Sequence, residues 1–84
     1  MTPTANPAPA ETIDIRLLGA CADRKARVLA AFDSLAPGAC VEVVNDHMPN
    51  GLRAHFEQHR PGAYDWRVVE AGPVVFRVEI GRVA

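Results

Sequence analysis

The sequence predicts an α/β chain of the two-layer α+β sandwich type, in the order β-α-β-α-β-β. Its mixed four-stranded sheet has the order 1-2-4-3, and two helices cover one face. Three observations lead there. Apolar residues recur with period two in four segments and with helical spacing in two others. Gly- and Pro-containing punctuation separates those segments. The chain has 84 residues, enough for one small core and not for two.

Each element follows from local chemistry. Residues 1–11 hold three of the seven prolines and little to bury, so they read as a disordered lead-in to a single domain over residues 12–84. Residues 12–17 alternate polar and apolar, a half-buried strand with Ile13, Ile15 and Leu17 inward. Asp23 can cap a helix over 23–35, whose Val28, Phe32 and Leu35 fall at i, i+4 and i+7 beside Leu29. Pro37-Gly38 stops it. Val41, Val43 and Val44 form the second strand with Glu42 outward, and 45–51 is a turn. A short helix over 50–59 carries Leu52 and Phe56, and Arg60-Pro61-Gly62 ends it. Residues 64–68 alternate again, Ala71-Gly72-Pro73 turns the chain, and 74–80 alternate best of all, with Val74, Phe76, Val78 and Ile80 inward.

The topology is then constrained. Strand–helix–strand units give parallel strands with right-handed crossovers. The closing hairpin makes the fourth strand antiparallel to the third. As the most apolar strand, the fourth belongs in the middle, which gives the order 1-2-4-3. The second sheet face is left open to solvent.

Composition bounds the function. The 41 apolar residues include 14 Ala, and Val, Ile, Leu and Phe together number 21. Nine Lys and Arg against ten Asp and Glu give a net charge of −1, which argues against a nucleic-acid partner. No run approaches the length of a membrane span, and no secretory signal is visible, so a cytoplasmic protein with no membrane partner is expected. Two Cys do not make a disulfide framework. No Gly-rich phosphate loop, Cys-x-x-Cys or supported Ser-His-Asp order occurs. A binding module without a cofactor is expected rather than an enzyme.

Several strings carry a family resemblance. They are Phe32-Asp33-Ser34-Leu35-Ala36-Pro37-Gly38, Val43-Val44-Asn45-Asp46-His47-Met48-Pro49, Arg60-Pro61-Gly62, Trp66, and Gly72-Pro73-Val74-Val75. Together they resemble the bacterial family named domain of unknown function 2249, over nearly all of residues 12–82. That family in turn resembles the TusA/SirA-type sulfur carriers, and the resemblance implies their two-layer TusA/SirA-like fold. It also implies a context of nitrogen-oxide or redox metabolism, with hemerythrin-like or sulfur-transfer proteins as partners. In the carriers a Cys-Pro-x-Pro string opens the first helix, and its Cys carries persulfide sulfur. The matching stretch here is Cys21-Ala22-Asp23-Arg24, with the Cys and neither proline.

The candidate site residues each have two readings. Cys21 stands at the start of the first helix, where the dipole and Arg24, Lys25 and Arg27 favour a thiolate; alternatively it is a small, inert, partly buried side chain. His47 follows the end of the second strand, at the edge where loops after parallel strands gather and ligands tend to bind. There Asp46 can orient the ring and Pro49 can stiffen the turn; the plain alternative is a set of turn and capping residues. His55 and His59 lie four apart on one helix face, a weak metal-chelating spacing, or simply an exposed flank. Tyr64 and Trp66 share a strand face and read as core, and Cys40 falls on the open face. The expected site is therefore the edge of loops 18–22 and 45–51, with His47 central, Asn45, Asp46 and Pro49 around it, and Arg24 alongside. A partner protein, a metal or a small ligand would bind there; the alternative is a sulfur carrier with persulfide on Cys21.

Overall fold

The computed structural model describes residues 8–19 and 21–83, with the backbone alone for residues 21 and 22. Four strands and two α-helices follow one another: β1 (Glu11–Asp14), α1 (Cys21–Asp33), β2 (Cys40–Asn45), α2 (Asn50–His59), β3 (Tyr64–Ala71) and β4 (Phe76–Arg82). The sheet order is β1-β2-β4-β3. β1 and β2 are parallel, and β4 runs antiparallel to both β2 and β3. This is the small α+β sandwich the periodicities predict.

Both helices pack on the same sheet face. Val28, Ala31 and Phe32 of α1, with Leu35 beyond its end, meet Ile13, Val41, Val43, Val78 and Ile80 of the sheet. Leu52 and Phe56 of α2 complete this core. The Phe56 ring is fully buried. It sits edge-on to Phe32 at 5.1 Å and to Tyr64 at 5.5 Å, the geometry aromatic quadrupoles favour.

Four local expectations are corrected. β1 ends at Asp14, and Ile15–Leu17 form one 3-10 turn. Asp14 accepts the Arg16 N–H and pairs with its guanidinium, so the chain folds over and Leu17 is left 82% exposed. Val74 is 75% exposed rather than inward: the hairpin closes through Gly72 N–H to the Val75 carbonyl at 2.9 Å, and pairing starts only at Phe76. Asp23 lies within the first turn of α1 rather than before it. That helix also stops at Asp33, short of Leu35.

The face without helices is not bare. Register aligns Thr12, Glu42, Glu79 and Arg67 in one row across the four strands. Arg67 pairs with Glu79 at 2.9 Å and lies 3.7 Å from Asp65. Arg77 pairs with Glu70 at 3.0 Å and lies 3.7 Å from Glu42. Long Arg stems cover apolar surface while their charged ends stay wet. Under this lattice Cys40 and Val44 are buried, and burial pushes the Cys40 thiol up. Among the described residues no helix is long and apolar enough to cross a membrane.

Candidate functional site

β1 and β2 are parallel, so the segments leaving them emerge at one edge of the sheet. The chain leaving β2 makes a chain of hydrogen bonds. Asn45 is the one buried polar residue of the described set, at 3% exposure. Its Oδ1 accepts the Asp46 N–H at 2.9 Å. The Asp46 carboxylate accepts from His47 Nδ1 at 2.6 Å. That bond fixes the ring's orientation and, in the neutral imidazole, leaves Nε2 as the acceptor. Asn45 Nδ2 lies 3.5 Å from that nitrogen. Asp46 and His47 are both largely exposed, whereas Pro49 is buried and anchors the turn before α2.

The opposite wall comes from α1. The Arg24 guanidinium donates through Nε and Nη2 to the Leu18 carbonyl, at 3.3 and 3.2 Å. That pair ties the segment after β1 to the helix. Lys25 follows, and its Nζ lies 3.8 Å from where a side chain on Gly51 would begin. Between the two walls lies a pocket of about 170 Å³, lined by Ile15, Arg24, Lys25, Val28, Asn45, His47, Pro49, Gly51 and Leu52. An engineered apolar cavity of ~150 Å³ accepts benzene, so this one has room for about six to eight non-hydrogen atoms.

Of the expected site residues, Arg24, Asn45, His47 and Pro49 line this one pocket, and Asp46 stands behind His47. Cys21 is the first residue of α1, and its side chain lies outside the described residues. Gly51 falls inside the expected 45–51 loop, whereas Lys25 and the apolar floor of Ile15, Val28 and Leu52 lie outside the expected edge. The signal for Lys25 was present: it falls three residues before Val28, on the face that Arg24 shares at four. His55 and His59 do share a helix face, with ring centroids 4.3 Å apart. Burial, then the neighbouring His59, lowers the His55 pKa. Among the described residues no three His, Cys, Asp or Glu side chains gather as a metal site. Trp66 packs against the core, with the Arg53 guanidinium 5.7 Å over its ring.

The fold is a small two-layer α+β sandwich with a pocket at the edge where its parallel strands end and its helices begin. Residues 12–82 match the family described as "Uncharacterized conserved protein (DUF2249)", and the chain belongs to that family. Among curated proteins and among solved structures, nothing matches it.

Proposed function

We propose that this protein is a small-ligand-binding module, not an enzyme, and that its binding site is the pocket between the starts of α1 and α2. The observation that carries this reading is convergence. Residues from the turn after β1, from α1, from the end of β2, from the turn after it and from the start of α2 line one open pocket of about 170 Å³. Binding sites commonly combine an apolar lining with a few placed polar groups. Ile15, Val28 and Leu52 supply the first. Arg24, Asn45 and His47 supply the second. Asp46 serves to hold the His47 ring rather than to touch a ligand.

The test is a ¹H–¹⁵N NMR screen of the full chain against a library of neutral and charged fragments of six to eight non-hydrogen atoms. Hits are expected to shift the amides of Asn45, His47, Gly51 and Leu52, and to lose affinity in Asn45→Ala and His47→Ala. A screen whose hits map elsewhere, or that yields none, removes this reading.

A further inference from the structure

Resting on that reading of the pocket, we infer that its occupant is a small organic anion, a short-chain carboxylate, with its head between Lys25 and the first turn of α2 and its tail on Ile15, Val28 and Leu52. The inference comes from a census of cations. The chain has nine Lys and Arg. Arg16, Arg27, Arg60, Arg67 and Arg77 pair with the carboxylates of Asp14, Glu11, Asp33, Glu79 and Glu70. Arg82 is bonded to the carbonyls of Asp33 and Leu35, and Arg53 lies over Trp66. Arg24, whose Nε and Nη2 bond the Leu18 carbonyl, and Lys25 are the two cations at the pocket. Among the described residues neither has a carboxylate partner, and both line the pocket, which no Asp or Glu lines.

The placement of Lys25 sharpens the point. Its ammonium lies against Gly51, in the first turn of α2. That is the positive end of a helix dipole, where a cation is disfavoured and an anion favoured. The first turn of this ten-residue helix holds no acidic side chain, and Pro49 makes no capping bond. The Asn50 N–H reaches the Met48 carbonyl and the Arg53 N–H the Pro49 carbonyl. Among the described residues the Gly51 and Leu52 N–H groups have no acceptor, and both residues line the pocket. A third donor is separate from the helix: the Oδ1 of the buried Asn45 accepts the Asp46 N–H, while its NH2 group carries two protons and lies 3.5 Å from His47 Nε2. Two cations and three N–H donors without a matching acid therefore surround one volume. An anion supplies what they lack. The apolar floor and the volume set the rest of the ligand at three to five carbons.

Butyrate, with six non-hydrogen atoms, is the probe, and butyramide and 1-butanol are its near-isosteres of no charge. Titrated into the ¹⁵N-labelled full chain at low salt, butyrate is expected to bind with a dissociation constant of about 1 mM, the range for a ligand of this size. The largest shifts should fall on Gly51 and Leu52. Butyramide and butanol should bind at least fivefold more weakly. Lys25→Gln should cost butyrate a similar factor while leaving butyramide unchanged. Gly51→Asp places a carboxylate where the head would sit, and the space at that position is open to within 3.8 Å of Lys25. That variant should fold, as circular dichroism would show, and lose butyrate binding. If butyramide or butanol binds as well as butyrate, or Lys25→Gln changes nothing, the anion assignment falls and the pocket reading stands. If none of the three probes moves the pocket amides, both fall.

Discussion

Gly38 and Gly72 share a positive φ, and Gly72 also precedes Pro73. A side chain would meet different surroundings at each, so the Phe76 contact at Gly72 is separated by a second substitution at Phe76 itself. Gly38 has φ +87° and Gly72 has φ +86°. An Ala at either must adopt a left-handed conformation, at a cost of about 1 kcal/mol. At Gly38 a new Cβ meets nothing within 4 Å, and the Gly38 N–H can keep its 2.8 Å bond to the Arg82 carbonyl. At Gly72 the Cβ would stand 2.7 Å from Phe76 Cζ and 3.1 Å from both Cε atoms. The ring must swing off its rotamer, which adds about 0.5–1.5 kcal/mol. Gly72→Ala should therefore cost ~2 kcal/mol and Gly38→Ala ~1. A domain of this size holds roughly 4–11 kcal/mol in total, so both variants should fold. Urea unfolding followed by the single Trp reports the difference, and the melting points should fall by about 8–16 °C and 4–8 °C. Phe76→Leu in the Gly72→Ala background should recover about 1 kcal/mol. No recovery in the double variant would refute the claim that the Phe76 ring rests on the Gly72 backbone.

Three further outcomes follow from named contacts. Phe56→Ala empties the space between Phe32 and Tyr64 and should cost about 3–5 kcal/mol, leaving much of the chain unfolded by circular dichroism at 37 °C; a near-native melt would contradict its place at the centre of the core. In a Cys21→Ser variant, the buried Cys40 should resist a neutral thiol reagent in the native state and react fully in urea, and rapid native labelling would show that the ionic lattice above it does not exclude solvent. The Arg60 guanidinium beside Asp33 and the Arg16 guanidinium beside Asp14 hold both carboxyls below the usual carboxylate range. The folded state thus binds protons less readily than the unfolded one. Their contribution is complete above the unfolded carboxylate pKa of about 4 and lost as pH falls through the folded values. Asp33→Asn should flatten the fall of the urea midpoint below about pH 4, and an unchanged slope would mean the pair is too solvated to matter.

Element order and strand order were legible because they rest on local period and on punctuation. Val41 and Val43, Leu52 and Phe56, and Val78 and Ile80 are buried where alternation or helical spacing placed them. The misses share one cause: pattern continues where pairing has stopped. Thr12 to Leu17 alternates without a break, but β2 offers β1 no partner beyond Val44, and the Asp14 side chain captures the next N–H. Val74 continues the rhythm of β4 on the wrong side of the hairpin. Burial of Cys40 and Val44 depended on Arg67 and Arg77, which are 27 and 33 residues distant in sequence from those respective positions, and no local pattern shows that. At the candidate site, the sequence placed His47 and its neighbours at the edge where the parallel β1 and β2 end. It could not supply the distance from the β2–α2 turn to α1, which is what makes Lys25 and Gly51 a pair.

The charge pattern separates two meanings of a neutral composition. A net charge of −1 removes any long-range pull on polyanions, and five ion pairs spread over β1, α1 and the open sheet face account for most of the positive charge locally. Such exposed pairs add little stability each, yet they fix where charge is cancelled. What is left uncancelled is then small and placed. Arg24 keeps three N–H groups after bonding Leu18, Lys25 keeps all of its own, and the Asp46–His47–Asn45 chain holds one amide proton free beside them. On the proposed reading, Arg24 and Lys25 beside the apolar floor give this pocket its preference for an anion. For that reason a neutral isostere, rather than a larger anion, is the informative competitor.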